Sequence, residues 1–181
     1  MGGSSAPGLF GRSFTAANLF AVAGDGSLSV TQIDFALTDQ SDGPGTFYAS
    51  IWTDNAGLPG TEVAGAYWSL STSNTGMCCS LVSVADIAAV RLTGGQQYFM
   101  ILGPISITDA SNNEWNFNNQ GIEGLDLYSP DGGSTWSSNG PGSTLGAFDV
   151  LGSAGPTPEP ASLFLLGAGL IGILGAHRSA K

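Results

Sequence analysis

Apolar residues recur at every second position through Ile33, Phe35 and Leu37, with Gln32, Asp34 and a small Ala36 between them. A period of two is the mark of a half-buried strand. After the turn cluster Asp42-Gly43-Pro44-Gly45, residues Thr46 to Thr53 repeat it, with Phe47, Ala49 and Ile51 on one face and Tyr48, Ser50 and Trp52 on the other. Asp54 to Gly60 is rich in turn-tolerant residues, and Glu62 to Leu70, carrying Tyr67 and Trp68, predicts a third strand. Leu81 to Leu92 reads as a strand, a bend and one helical turn at Val84 to Ala89, broken by Gly94-Gly95. Gln97 to Leu102 is apolar almost without interruption and predicts a central strand buried on both faces. Leu125 to Ser129 is another strand, Asp131-Gly132-Gly133 is a hairpin turn ahead of Thr135-Trp136, and Ala147 to Leu151 closes the body. At least seven short strands separated by turn signals predict an all-β fold, an antiparallel β-sandwich of jelly-roll type, with a barrel as the alternative.

The pattern changes at the C-terminus. Sixteen uncharged residues from Ala161 to Ala176 have no polar stripe, follow a Gly/Pro/Ser/Thr stretch, and are flanked by cations on one side only. As a helix they span roughly 24 Å, short of the roughly 30 Å hydrocarbon core, but Arg178 and Lys181 can snorkel and the bilayer can thin. The expectation is one transmembrane helix. The organisation that follows is an N-terminal segment 1–12, a sandwich ectodomain 13–152, a linker 153–157, and a terminal segment 158–181. That last segment divides into a Pro-Glu-Pro triplet at 158–160, a transmembrane helix at 161–176 and a basic tail at 177–181.

Composition sharpens this. Charged residues make up only 10% of the 181 residues and Gly supplies 28, which suits short strands and many turns and excludes long charged helices. Fourteen carboxylates face only Arg12 and Arg91 before residue 161, leaving that part with about twelve net negative charges. Such a body repels nucleic acid and anionic headgroups, so no nucleic-acid partner is expected. By the positive-inside rule the cationic C-terminus stays cytoplasmic and the acidic body is exported. Met1 to Phe10 has neither a cationic nor an apolar region, so it does not read as a signal peptide, and a leader is expected upstream or already removed.

Catalysis is not expected. The sole histidine, His177, lies beyond the apolar run, so Ser-His-Asp and Cys-His arrangements are absent from the body. Glu62, Glu114 and Glu123 are the longest-reaching acids for a glycosidase pair, but no spacing selects two of them, and they read as solvated surface acids. Cys78 and Cys79 are adjacent and cannot staple distant strands; a vicinal disulfide and two buried thiols both fit, and the pair reads as a local structural feature. No cofactor and no metal are expected: oxygen ligands for calcium are plentiful at Asp39 to Asp42 and Asp54-Asn55, but no EF-hand spacing supports it. Four tryptophans invite a glycan-binding face, with Trp115 and Trp136 in polar loops as the candidate contacts and the ends of the core as their other destination.

Pro158, Glu159 and Pro160, a short apolar run and the basic residues Arg178 and Lys181, in that order, resemble the PEP-CTERM sorting signal of Gram-negative bacteria. The resemblance implies recognition of the triplet by a membrane-embedded exosortase, transient membrane anchoring, and release to the cell surface or extracellular matrix. The body resembles choice-of-anchor surface modules through Phe14-Thr15, Ser50 to Gly60, Gly94 to Tyr98, Tyr128 to Trp136 and Gly146 to Phe148. That likeness implies a displayed sandwich module of structural or adhesive role, with a carbohydrate-binding module, its partner an extracellular polysaccharide, as the alternative.

Overall fold

The structure, a computed structural model, describes residues 14–39, 46–71, 79–105 and 113–154, and every regular element among them is a strand. A six-stranded sheet has the order β11 (Ser137–Ser138), β10 (Asp126–Ser129), β1 (Thr15–Ala21), β7 (Gln97–Pro104), β3 (Thr46–Asp54), β4 (Pro59–Ser71). The five-stranded sheet is built around the long β2 (Ser27–Asp39), with β5 (Ser80–Val84) and β6 (Arg91–Thr93) along one edge and β13 (Phe148–Ala154) and β8 (Asn113–Trp115) along the other. A short ribbon pairs β9 (Glu123–Gly124) with β12 (Ser143–Thr144), and all these pairings are antiparallel.

Alternation along each strand places the core. Ala49 lies opposite Leu102 and Leu102 opposite Ala16, while Ile51 lies opposite Met100, so these side chains share one face of the larger sheet. Together with Phe47 they join Val30, Ile33, Phe35 and Leu37 of β2 in one buried cluster, so the two sheets face each other across it. Each fully buried Val, Leu, Ile, Phe or Met side chain here contributes about 1.5–3 kcal/mol through removal from water. Between β1 and β3, β7 is covered on both faces: Met100 and Leu102 point to the shared core, Phe99 and Ile101 to a second cluster with Ala17 and Leu127. Its unbroken apolar run is the sequence signature of that position.

Three local expectations give way to the structure. The helical turn at Val84 to Ala89 is absent, because Asp86 adopts a left-handed φ of 56° and the segment's backbone bonds go to β2 instead, Ile87 N to Thr31 O and Val30 N to Val90 O. The Asn-rich stretch around Trp115 is a strand end held against β2, with Asn116 N donating to Ala36 O and the Asn116 amide reaching Ala36 O at 3.1 Å and Thr38 Oγ1 at 3.0 Å. Ser153 and Ala154, assigned to the linker, extend β13 and pair with Ser29 and Leu28. The Asp131 hairpin turn forms as its residues predict: Asp131 Oδ1 accepts from Ser129 Oγ and Thr135 N, Oδ2 accepts from Thr135 Oγ1, and Gly132 and Gly133 supply positive φ. Cys79 is exposed and disulfide-bonded, which removes the alternative of two buried thiols. Cys78, the triplet, the apolar run and the basic tail lie outside the described residues. No helix among the described residues is long and apolar enough to cross a membrane.

Where the sheets meet at one end, aromatic rings form a continuous chain from one sheet to the other. Tyr98 contacts Phe20, Phe20 meets Phe148 edge-to-face at 5.6 Å, Phe148 meets Trp115 at 5.5 Å, and Trp115 meets Phe35 edge-on at 6.3 Å. Trp115 lies directly on the backbone of Gly146, where a Cβ would overlap the indole. Replacing Gly146 with Ala is therefore expected to cost about 1–3 kcal/mol through forced overpacking. Gly26→Ala, at a site with open space and no positive φ, should change stability by less than about 0.5 kcal/mol. Denaturant melts of the two variants check this; equal stabilities would show that the indole shifts freely.

Candidate functional site

The described part of the molecule has an open seam between its sheets. β10 pairs with β1 only through Thr15 to Asn18, and after the bond from Leu19 N to Leu125 O the chains part, freeing one side of Phe20 and Ala21. On the opposite sheet β13 pairs only with β2, so its outer edge faces the same gap. Two cavities of about 430 and 450 Å³ occupy the seam and share Phe20, Ala21, Phe148 and Asp149 as a common wall. Volumes of this order hold a drug-sized ligand.

One wall of the seam is a loop organised by a single amide. Asn118 donates from Nδ2 to Ile122 O and Leu145 O, both at 2.8 Å, and its Oδ1 accepts from Gln120 N and Ile122 N. With its own hydrogen-bonding capacity spent inward, Asn118 fixes a tight bend that leaves the neighbouring Asn119 and Gln120 side chains exposed beside the cavity. Glu123 and Asp149 add exposed carboxylates, and no Lys or Arg lines either cavity. Phe20 and Phe148 are half-buried: one part of each ring packs on the core and the rest faces the opening.

Behind this wall lies a buried polar network. Asn18, 2% exposed, donates to Asp126 Oδ1 at 2.7 Å and accepts from Gly146 N at 2.6 Å through its Oδ1. Asn139 Nδ2 donates to Asp126 Oδ2 at 2.7 Å, so both carboxylate oxygens are satisfied without a cation. The network ties β1, β10 and the Gly146 strand end together in one register. Burial pushes the Asp126 carboxyl above its ordinary value, against the lowering effect of the Asn139 and Asn18 bonds. Its position inside the fold assigns it to structure.

The sequence-predicted contacts fare differently. Trp115 is only 4% exposed and its Nε1 donates to Ala147 O, so it plugs the core and offers no face to a glycan. Trp136 is half-buried against the second cluster, on which Leu125 and Trp52 also pack. Glu62, Glu114 and Glu123 pair across strands with Trp52, Thr38 and Thr144, so strand pairing brings none of them opposite another. Glu114 is pushed above the usual carboxylate value by burial. Asp54 caps its turn by accepting from Gly57 N at 2.8 Å, and no group of three His, Cys, Asp or Glu that could hold a metal occurs among the described residues. The seam residues were missed because Phe20 and Phe148 belong to different sheets and nothing in linear order joins them. The amide run Asn116-Phe117-Asn118-Asn119-Gln120 was the one local signal.

The two perturbed aspartates titrate in opposite senses. Asp126, raised by burial, weighs against the fold above its folded pKa, and that cost is relieved as pH falls through it. Asp131 is held below its ordinary value by the Thr135 backbone bond first and then by the Ser129 and Thr135 hydroxyls, so its contribution is present above the ordinary value and lost as pH falls through the depressed one. Carboxyl-detected NMR is expected to show Asp126 taking its proton before Asp131 on acidification; the reverse order would contradict the burial of Asp126.

Residues 156–179 match the model of the PEP-CTERM protein-sorting motif, a span that includes the triplet, the apolar run and Arg178 but stops short of Lys181. No curated protein and no solved structure gives a significant match to the chain. The motif supports exosortase-dependent sorting of a surface protein, exported and held transiently at a membrane.

Proposed function

We propose that the chain is a non-catalytic structural or adhesive surface module of a Gram-negative bacterium, a jelly-roll-like β-sandwich of the choice-of-anchor kind delivered to the cell surface or extracellular matrix by its C-terminal signal. The observation that carries this reading is a division of labour along the chain. The last described strand ends at Ala154 and the sorting motif begins at Pro156, so an all-β body and an address follow one another with almost nothing between. Prolines at 158 and 160 are poor helix formers, which supports reading the triplet as a recognition element set off from the apolar run. A charge near the bilayer centre costs on the order of 3 kcal/mol, so the Glu159 carboxylate also limits how far the proposed 161–176 transmembrane helix can slide inward. A second reading, a carbohydrate-binding module, is favoured by one feature, the seam where aromatic rings, free amides and carboxylates converge.

The sorting reading is tested in a host that carries an exosortase, by following the mass and location of the body on immunoblots. Glu159→Ala is expected to leave the fold and membrane insertion intact and to block processing, while Leu166→Asp is expected to abolish anchoring. Normal processing of Glu159→Ala would remove the triplet from its assigned role and reduce the tail to an anchor.

A further inference from the structure

We infer that the seam binds an extended, uncharged polysaccharide chain, with sugar rings lying on Phe20 and Phe148 and hydroxyls meeting Asn119, Gln120, Glu123 and Asp149. The inference rests on the carbohydrate-binding reading above and gives it a location that the tryptophans did not.

Shape comes first. The two cavities share Phe20, Ala21, Phe148 and Asp149, so they adjoin at the Phe20–Phe148 pair, and we read the two together as one trough. Two adjoining cavities take a chain more readily than a compact ligand. Chemistry comes second: pyranose rings present apolar C–H faces and polar equatorial edges, and the trough offers the matching halves, ring surfaces as a floor with amides and carboxylates at the rim. The Asn119 and Gln120 amides each bring donors and an acceptor, and neither is engaged within the described residues. Hydroxyl-bearing ligands need that mixed complement.

Charge narrows the ligand. Glu123 and Asp149 line the trough without a cation, and Arg91 is the single basic residue in the described residues. An anionic polymer would meet repulsion on every approach. A second copy of the chain would bring the same acidic surface against itself, which disfavours edge-to-edge pairing through β13. An extended peptide adding to β13 meets a further obstacle, because the ladder shifts register between Leu151 and Gly152, and such an irregularity twists an edge away from strand addition. An uncharged sugar chain needs neither a regular ladder nor a compensating cation.

The test uses the full chain in detergent micelles, measuring retention on cellulose and chitin particles and on alginate beads. Retention on at least one uncharged polymer and none on alginate is expected. Asn119→Ala with Gln120→Ala should weaken retention by about tenfold through lost hydrogen bonds, with the near-UV circular dichroism of the aromatic rings unchanged. Asp149→Lys, exposed and outside the core, should admit alginate. Absence of retention on both uncharged polymers, unchanged retention in the double variant, preference of the parent chain for alginate, or displacement by a basic peptide but not by soluble oligosaccharide would each overturn the inference. Retention in micelles does not depend on an exosortase, so loss of the glycan site and loss of the sorting role give separate results.

Discussion

Trp115 fits between the sheets because residue 146 has no side chain, and much of the surrounding architecture hangs on that contact. The indole spans from Phe35 at the centre of β2 to Phe148 on the edge strand β13, and Phe148 passes the contact to Phe20 on the other sheet. The same Gly146 donates its backbone N–H to Asn18, whose amide holds Asp126. One glycine thus couples an apolar chain of rings to a buried polar network. Displacing it would strain the rings on one side and take the donor from the buried Asn18 Oδ1 on the other, where an unsatisfied buried group costs about 1–3 kcal/mol. Polar and apolar packing here specify the same register, as a chain with few charges and many small residues requires.

The two clusters explain why the larger sheet can carry Ser50, Thr15 and Ser129 fully covered on its second face. Ser50 Oγ accepts from Trp52 Nε1 at 3.0 Å, so the indole folds back along β3 and shields the serine. The Tyr48 hydroxyl bonds to Thr15, which lies on β1 beyond the intervening β7, and the ring must therefore cross β7 at Gly103, the one site there with room for it. Burial raises the Tyr48 hydroxyl above its ordinary value, the hydrogen bond to Thr15 opposing the shift. Small residues in the sheet and large rings folded over them give a second hydrophobic layer without a third sheet.

How much of this was legible depends on whether the signal was local. Period-two alternation around Phe35 and Phe47, the unbroken run in β7 and the Asp131 turn all reflect short-range physics, and each was read correctly from the chain. The expected helical turn at Val84 to Ala89 had the composition for helix, but Ile87 N is claimed by Thr31 O and the following Val90 O by Val30 N, 56 and 60 residues earlier in the chain. Trp115 sits in a polar, Asn-rich neighbourhood that suggests a surface loop, yet the adjacent Asn116 is spent on Ala36 and Thr38 and the indole turns inward. A polar residue's neighbours tell where it is in sequence; its hydrogen-bond partners decide which way the next side chain faces. The same limit hid the seam, since Phe20 and Phe148 are brought together by sheet packing alone.

Charge links the body to its address. Of the four cations, Arg12 and Arg91 are outnumbered by the carboxylates that precede residue 161, whereas Arg178 and Lys181 lie in or just after the matched sorting segment with no acid beside them. The body itself is repelled by such surfaces, so contact with a membrane is concentrated at the C-terminus. Once the tail is processed, nothing in the acidic body favours a return to the bilayer. Apart from Arg91, the charged side chains of the described body are carboxylates, and at the seam between the sheets they and uncharged amides converge around half-buried aromatic rings.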